Sequence, residues 1–500
     1  MKIAGLWNNH DCSFCILDEG IPTVHAELER YIREKEPKGD SYKLFQQICK
    51  DEKIDEWITA EGCFQEKDKF PHEYYEIGHH QAHAANAFFS SNISESLIIT
   101  LDGGGIDQTQ WTATTVWEGK GNKIYPLNII PKDKLNIGNI WSRVTEQVFE
   151  LSTGYPYGHS AGTVMATSCL GDSSKYIEEF TKDPYYFCDT WHTRSEKSED
   201  QARYNVAATI QKWTENCVKH LITETLKQHP SKKLCLSGGV ALNCVMTTKL
   251  YDWFDFEEIY ITPTPHDGGL CIGAAQYLWH HELDNPRIKW KDDFTPYLGE
   301  TYNENIIKST LEKYSSDINF SLVKDKDVLT LLEKQKIISV FGGSSESGRR
   351  ALGNRSIIAD PRSPKMKDLI NEKVKHRQWF RPFAPSILKE EVKNWFQKDI
   401  ESPYMNFAVP FKENMKEKVP AVVHLDGTGR IQTVTKNNNK WYYTFIKKWF
   451  KLSGVPIILN TSFNDREPIV ETPEDAVKCY LKTNIDYLYF YEFGILVKKK

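Results

Sequence analysis

Two histidines, His79 and His83, are spaced so that a single metal ion could bind both of them. Residues 78–84 read Gly-His-His-Gln-Ala-His-Ala, and the pattern predicts a helix over residues 78–89. Residues four apart on a helix share one face, and neutral imidazoles on that face can coordinate one ion. The spacing also fits ordinary core or surface histidines. Two ligands do not complete a site, so carboxylates from other elements are needed.

Asp102 and Asp267 are the candidates for the remaining ligands. Asp102 follows the apolar run 96–101 and precedes three glycines, which predicts a strand that ends in a turn with the carboxylate at its tip. Asp267 stands just before a predicted helix, where a carboxylate is also typical of a simple N-terminal cap. The sequence leaves both interpretations of Asp267 open.

Three predicted strands are each followed by a small or acidic turn, near residues 11–13, 102–105 and 237–243. Glycine-rich turns that open helices hold phosphates with their backbone N–H groups. One such turn is weak evidence, but three of them suggest the actin-like ATPase arrangement, in which two lobes enclose a nucleotide. The predicted nucleotide-binding residues are Asp11, Ser13, Gly103, Gly105, Gly238, Gly239 and Asn243.

A second chemical signal lies in the C-terminal half, where a basic stretch covers residues 349–381. Its cations alternate with apolar side chains such as Phe380 and Phe383, which flank Arg381 and have the character of buried residues. Guanidinium groups bind phosphate and carboxylate in pairs, and a buried guanidinium is costly without an anion. The stretch therefore predicts an anion pocket, with structural salt bridges or a nucleic-acid groove as alternatives.

The totals set the broad class of the protein. A chain of 500 residues is too long for one core, and the polar segment 284–300 predicts a boundary between two domains. Alternating strands and helices joined by glycine turns predict an α/β fold. The net charge of −5 argues mildly against a protein that grips duplex nucleic acid by many phosphates.

Several patterns that would place the protein outside the cytoplasm are missing from the sequence. No window approaches the length of a membrane span, and the first residues do not read as a secretory signal. The eleven cysteines are scattered, and we interpret Cys12 and Cys15 as buried thiols because no second pair follows at ligand spacing. We therefore expect a cytoplasmic protein that does not contact membranes.

Together these motifs resemble the O-carbamoyltransferases of the nodulation, cephalosporin and tobramycin type. The resemblance covers nearly the whole chain, and many blocks in one order are far more specific than any single motif. The matching blocks are residues 9–13, 27–35, 79–85, 101–105, 236–244, 263–275, 348–362, 380–388, 423–434 and 459–473.

The resemblance implies a fold for each half of the chain and a two-step reaction. Residues 1–290 would form an actin-like (ASKHA) domain similar to the tRNA threonylcarbamoyl-transfer enzyme, and residues 296–500 a YrdC-like α/β domain. The second domain would convert carbamoyl phosphate and ATP, with Mg²⁺, into carbamoyl-adenylate and pyrophosphate. The first would transfer the carbamoyl group to a hydroxyl of a sugar, a natural product, or a 5-hydroxymethylpyrimidine in phage DNA or a nucleotide. A homodimer is compatible with this scheme.

The resemblance also implies roles for individual residues. A divalent metal, Fe²⁺ in the relatives, would be held by His79, His83, Asp102 and Asp267. His10 would be the general base toward the acceptor hydroxyl, because imidazole titrates near working pH. Lys35 would stabilise charge near the leaving phosphate. The carbamoyl phosphate and adenylate pocket would be lined by Arg350, Asn354, Arg355, Arg381, Arg430, Asn460 and Ser462.

The chain departs from the pattern of the family at Arg349, where proline is usual, and at Thr163, where lysine is expected. These departures motivate a second hypothesis, a catalytically inactive homologue that binds nucleotide. A third hypothesis is a relative that N-carbamoylates tRNA, against which the net charge of −5 argues.

Overall fold

The computed structural model describes residues 1–63, 70–107, 110–151, 160–291 and 294–500. The chain divides into two compact units, which are Met1–Leu28 with Glu36–Trp290 and Glu29–Lys35 with Lys291–Lys500. Both units combine sheets with helices, as the α/β expectation requires. None of the described helices is both long and apolar enough to cross a membrane.

Residues 29–35 do not belong to the first unit, although the sequence placed the whole of 1–290 in one domain. Two arginines explain the difference. Arg30 donates to the carbonyl of Gly348, and Arg33 donates to the carbonyl of Pro468, so the segment is bonded to the second unit. Hydrogen bonds over such long sequence separations leave no local pattern from which a boundary could be read.

The first unit contains two five-stranded sheets with the same topology. The strands of the first sheet are β1 Lys2–Trp7, β2 Ser13–Asp18, β3 Ile21–Glu27, β4 Glu56–Ala60 and β5 Tyr75–Ile77. Those of the second are β6 Glu95–Asp107, β7 Gln110–Lys120, β8 Lys123–Pro131, β9 Lys233–Ser237 and β10 Glu258–Ile261.

The strand orders are β3-β2-β1-β4-β5 and β8-β7-β6-β9-β10. In each sheet the first three strands form an antiparallel meander and the last two are parallel to the first. This duplication is the actin-like arrangement of two related lobes. The sequence shows no repeat, because topology depends on strand pairing and can persist after the residues have diverged.

The helices of the first unit pack between and around these sheets. They are α2 Ser41–Cys49, α3 His79–Phe89, α4 Ile137–Arg143, α5 Ala161–Thr167, α6 Ile177–Lys182, α7 Pro184–Thr190, α8 Asp200–Gln228, α9 Cys244–Trp253 and α10 Leu270–Tyr277, while α1 Leu28–Ile32 leads into the second unit. Helix α10 packs on β1, β2 and β4, and α3 packs on β6, β7 and β9. The two helices cross closely, since a Cβ at Gly273 would lie 1.9 Å from the carbonyl oxygen of Ala82.

Helix α3 matches the helix predicted over residues 78–89, but the turn predicted at residues 102–105 is absent. Strand β6 runs through the three glycines, and its pairing with β7 shifts register between Leu101 and Gly105. The segment is thus a bulge within a long hairpin, and Gly104 takes a φ of +131° there. The antiparallel partner strand keeps this backbone extended, and that partner is visible only in the folded chain.

The second unit is built on one mixed sheet of eight strands in the order β11-β20-β19-β12-β13-β18-β14-β17. Its strands are β11 Ile318–Leu322, β12 Ile338–Phe341, β13 Arg355–Ala359, β14 Ala384–Leu388, β17 Gln432–Val434, β18 Ile457–Ser462, β19 Tyr487–Phe490 and β20 Ile495–Lys499, and a separate ribbon pairs β15 Ala408–Pro410 with β16 Thr428–Arg430.

The helices of the second unit are α11 Glu304–Lys313, α12 Asp325–Glu333, α13 Lys365–Lys373, α14 Val392–Trp395, α15 Glu413–Lys416, α16 Lys440–Ser453 and α17 Pro473–Lys482. Helices α12 and α16 contribute Leu332, Phe445 and Trp449 to a buried apolar core that also includes Ile358 of β13 and Ile458 of β18. This core supports the central strands, whose ends carry several of the predicted site residues.

Candidate functional site

Four predicted metal ligands converge in the first unit. Helix α3 supplies His79 and His83, the bulge in β6 supplies Asp102, and the turn before α10 supplies Asp267. One ligand atom from each lies within 4.8 Å of all the others. His79 Nε2 is 3.3 Å from Asp102 Oδ2, and His83 Nε2 is 3.3 Å from Asp267 Oδ1. Atoms that each lie about 2.1 Å from a shared ion are separated by roughly 3.0–3.5 Å, so the spacing suits one ion.

The hydrogen bonding of His83 tests whether these residues fit a metal. The hydroxyl of Ser237 lies 3.3 Å from the carbonyl of Pro265, to which it donates, and 3.4 Å from His83 Nδ1. In this arrangement Nδ1 carries the proton, and the lone pair is on Nε2. That atom is buried, faces Asp102 and Asp267, and has no hydrogen-bond partner among the described residues. A lone pair opposite two carboxylates favours a cation between them.

Gly238 and Gly239, which were predicted to contact nucleotide, instead build this cluster. The N–H of Gly239 donates to Asp102 Oδ1 at 2.8 Å, and that of Gly238 donates to the carbonyl of Pro265 at 2.7 Å. Gly238 has a φ of +90°, and a Cβ there would lie 2.1 Å from the carbonyl oxygen of Leu101. Both donors are therefore occupied within the protein, and the N–H of Gly239 orients a carboxylate where a phosphate was expected.

Three further residues predicted to bind nucleotide also have structural roles. Ser13 is buried and donates to a carbonyl in the turn before α10. Gly105 lies against the ring of His79, where a Cβ would approach within 2.1 Å. Asn243 accepts a backbone N–H and caps α9. Gly103, in contrast, is exposed with open space beside it, so it stays available to a ligand.

His10 and Asp11 lie beside the cluster. His10 Nδ1 is 2.9 Å from Asp11 Oδ2, and Nε2 is 3.1 Å from Asp267 Oδ2. Burial alone would lower the pKa of His10. The charge of Asp267 and the hydrogen bond to Asp11 outweigh this effect and raise the pKa to about 9. His10 is therefore protonated as long as no cation neutralises the charge of Asp267. The predicted role of His10 as a base requires such a cation beside Asp267. The nucleotide contact predicted for Asp11 stays a prediction.

His80 lies between the two ligand histidines in the sequence but on a different face of α3. Its Nδ1 is 2.9 Å from Thr100 Oγ1, and its Nε2 is 3.2 Å from the carbonyl of Thr112. Burial lowers the pKa of His80 to about 4, so the ring is neutral. Both nitrogens are occupied, and His80 is therefore a core residue of the first unit.

The N-terminal turn of α3 is held by a residue that the sequence did not indicate. The Asp107 carboxylate accepts the backbone N–H of His80 at 3.0 Å and that of Gln81 at 3.2 Å. Replacing Asp107 with alanine should lower the free energy of unfolding by about 1–2 kcal/mol in a denaturant titration, because this cap is lost. The variant should also bind Mn²⁺ more weakly in a calorimetric titration, because His79 belongs to the same turn.

Asp40→Ala is the matched control for Asp107→Ala. Asp40 caps α2 by accepting the N–H of Lys43, and α2 carries none of the candidate ligands. It should lose similar stability and keep its affinity for Mn²⁺. Equal Mn²⁺ affinity in both variants would contradict a positioning role for Asp107.

A cluster of cations lies in the second unit. Burial lowers the pKa of Lys375, Arg377 and Arg381, and neighbouring positive charges, including Arg430, lower these pKa values further. Lys35 is among the charges that act on Lys375. Among the described residues, no carboxylate lies within ion-pair distance of Lys375, Arg377 or Arg381. Uncompensated cations in a desolvated place favour a bound anion.

The members of this cluster have different partners. Lys375 Nζ donates to the carbonyls of Ser462 and Asn464 at 2.6 and 2.8 Å, which fixes it at the end of β18. Arg377 bonds to Asn371 Oδ1 at 2.8 Å. The guanidinium of Arg381 is half-buried and makes no hydrogen bond to any residue that the structure describes. Arg381 is therefore the side chain most open to an anionic ligand, and Lys375 and Arg377 are the cluster members that the predicted site left out.

Arg355, Asn354 and Asn460, which were predicted to line the anion pocket, are bonded to other groups of the second unit. Arg355 is fully buried, donates to the carbonyls of Gly342 and Gly343, and stacks 3.7 Å above the ring of Phe341. The amides of Asn354 and Asn460 are buried and bonded to neighbouring protein groups.

Arg350, in contrast, is half-buried in the loop between β12 and β13. The structure brings Arg381, Ser462 and Lys35 near Lys375, and Arg430 near Arg377 and Arg381, while Arg355 and the two asparagines are bonded within the protein.

Two protein-family models match the chain, carbamoyltransferase N-terminus over residues 181–276 and carbamoyltransferase C-terminus over residues 329–498. An uncharacterized protein from Synechocystis is 33% identical over 465 residues, which cover 83% of this chain and 75% of the relative. The chain belongs to the carbamoyltransferase family. The family resemblance expected from the sequence motifs is thereby confirmed, and the protein is a carbamoyltransferase enzyme.

Nodulation protein NolO from Bradyrhizobium diazoefficiens is another relative of this carbamoyltransferase. It is 32% identical over 85% of this chain and 79% of its own length. Among solved structures, the activator of 2-hydroxyisocaproyl-CoA dehydratase from Clostridium difficile aligns with 58% of this chain and 100% of its own. That alignment has 15% identity and a TM-score of 0.37.

Proposed function

We propose that the enzyme forms carbamoyl-adenylate in its second unit and transfers the carbamoyl group to a hydroxyl at the histidine–aspartate cluster of its first unit. The half-buried Arg381 guanidinium, beside other cations and without a hydrogen-bond partner among the described residues, is the observation that carries this proposal. A site of this kind suits a substrate with phosphate groups. Carbamoyl phosphate and ATP both meet that description.

In the second unit, water would release inorganic phosphate from carbamoyl phosphate and leave carbamate. A carbamate oxygen would attack the α-phosphorus of ATP, which is bound with Mg²⁺, and the bond to the β-phosphate would break to release pyrophosphate. Arg381, Arg430 and Lys35 would neutralise the charge on the phosphates, because like charges otherwise repel the attacking anion. Arg350 is proposed to contact the same anion from the loop between β12 and β13.

In the first unit, the acceptor oxygen would attack the carbamoyl carbon and AMP would leave. His10, when neutral, would take the proton of the hydroxyl. A divalent ion bound by the two histidines and two aspartates would act as a Lewis acid toward developing negative charge. Fe²⁺ is among the ions that such a nitrogen and oxygen donor set accepts.

The proposal is tested by measuring pyrophosphate. We expect the purified chain to release pyrophosphate from Mg-ATP only when carbamoyl phosphate is present. Release of ADP, or ATP binding without any product, would contradict it and would favour the inactive homologue that the Arg349 and Thr163 departures motivate. Arg349 is half-buried, and Thr163 is buried in α5.

The acceptor is identified in a second experiment. Sugars, hydroxylated natural products, hydroxymethylated pyrimidine nucleosides and hydroxymethylated DNA are each incubated with the complete reaction mixture. Mass spectrometry should show a gain of one carbamoyl group on a hydroxyl of one class. Modification of an adenosine amine in unmodified tRNA would instead support N-carbamoylation.

A further inference from the structure

Arg30 is a buried arginine that the proposed reaction does not use. It lies in the segment Glu29–Lys35, which belongs to the second unit although the flanking sequence belongs to the first. Its Nη2 donates to the carbonyl of Gly348 at 2.8 Å, and its Nη1 lies 3.7 Å from Oε2 of the buried Glu471. Arg30 therefore links Gly348, through a hydrogen bond, to Glu471, through a buried ion pair.

Both ends of this link reach the loop 342–354, which carries Arg350. Gly348 belongs to the loop and has a φ of +85°, a conformation that favours glycine. Glu471 accepts the hydroxyl of Ser345, another residue of the loop, at 2.7 and 2.9 Å. One buried ion pair therefore holds the loop at two points, close before Arg350.

The C-terminal side of the loop is fixed independently. Glu346 Oε1 accepts the backbone N–H groups of Leu352 and Asn354, both at 2.7 Å. Glu346 thus fixes residues 352–354 of the loop, and Arg30 fixes Gly348, which these bonds of Glu346 do not reach. Arg349 and Arg350 lie between the two fixed parts.

Arg33 anchors the same segment but does not contact this loop through any bond that the structure shows. It donates to the carbonyls of Pro468 and Ile469 at 2.5 and 2.8 Å, and its Nε lies 3.8 Å from Asp475. Loss of Arg33 should therefore loosen the segment, whereas loss of Arg30 should also release Gly348. This difference separates anchoring of the segment from positioning of the loop.

We propose that Arg30 is a positioning residue that fixes the loop 342–354 so that Arg350 meets carbamoyl phosphate. This inference rests on the proposed function, because it assumes that Arg350 contacts that substrate. It means that substrate affinity in the second unit depends on a residue encoded in the N-terminal part of the sequence. Arg30 itself does not touch the substrate in this scheme.

Steady-state kinetics of the full chain test the proposal. Arg30→Met should raise the KM for carbamoyl phosphate by about 10-fold and change kcat less, because a displaced binding group weakens substrate contact. Arg30→Lys should recover stability through the charge near Glu471, yet keep a raised KM, because an ammonium does not reproduce the two-directional fork. Arg33→Met should leave KM unchanged. An equal KM increase in Arg33→Met, or none in Arg30→Met, would overturn the proposal.

Arg30→Met leaves Glu471 buried without its partner, so the double variant Arg30→Met/Glu471→Gln provides a folded comparison. Hydrogen exchange supplies a readout that does not require catalysis. Exchange within residues 345–350 should rise in Arg30→Met and in the double variant, and it should stay unchanged in Arg33→Met. Unchanged exchange in Arg30→Met and the double variant would overturn the positioning role. If exchange rises but wild type releases no pyrophosphate, the loop contact stands and the proposed function fails.

Discussion

Arg381→Ala is expected to lower kcat/KM for pyrophosphate release by about 10²-fold or more, because it removes a donor aimed at the anion. The same change should leave the free energy of unfolding unchanged, or raise it by up to about 0.5 kcal/mol. The guanidinium of Arg381 donates no hydrogen bond to the described residues, and its removal relieves repulsion with Arg430. Kinetics and denaturant titration on the same preparation check both halves of the prediction.

Arg362→Ala is the opposite case and serves as the control. Arg362 pairs with the buried Asp360 through Nε at 3.0 Å and Nη2 at 2.8 Å. Removing it should lower the free energy of unfolding by about 1–3 kcal/mol, because Asp360 loses its charged hydrogen bonds. The KM for carbamoyl phosphate should not change. If Arg381→Ala destabilises the fold and Arg362→Ala raises KM, the anion pocket is misassigned.

His83→Ala is expected to weaken binding of Fe²⁺ or Mn²⁺ by at least about 10²-fold, since loss of a residue that only orients a ligand already costs 10–100-fold. Transfer to the acceptor should stop. Carbamoyl phosphate-dependent pyrophosphate exchange should continue, because Lys375, Arg381 and Arg430 are untouched. Metal content per chain, measured by mass spectrometry, and the exchange assay separate these two effects.

His80→Asn provides the comparison on the same helix. His80 is buried and bonded to Thr100 and Thr112, but it is not among the candidate ligands. Its replacement should lower the free energy of unfolding by about 1–3 kcal/mol, because at least one buried hydrogen bond is lost. Metal affinity should be retained. Retention of the metal by His83→Ala, with loss in His80→Asn, would refute the assigned ligand set.

The histidine–aspartate cluster shows how much of a candidate site local sequence patterns can predict. The spacing of His79 and His83 follows from the period of a helix, and the glycines after Asp102 indicated an unusual backbone. The structure adds the reason why those glycines are needed, because Gly105 lies against the His79 ring. The prediction of a turn at these glycines was wrong, since a turn and a bulge have the same local composition.

The candidate anion pocket shows what local sequence patterns do not predict. Arg355 and Arg381 occur in equally basic, equally apolar surroundings in the sequence, and both were expected to bind substrate. In the fold, Arg355 meets four backbone carbonyls and an aromatic ring, while Arg381 meets other cations. Whether an arginine has a structural role depends on the groups that surround its guanidinium in the fold. The residue type alone does not specify those groups.

The sequence by itself determined the family, the α/β class and the basic character of the second half, and it predicted the candidate ligand histidines, because these follow from composition, periodicity and ordered motifs. Only the tertiary structure decided that Gly239 orients Asp102, that residues 29–35 belong to the second unit, and that two sheets share one topology. Each of these depends on hydrogen bonds between groups far apart in the chain, whose partners are specified only once the strands have paired.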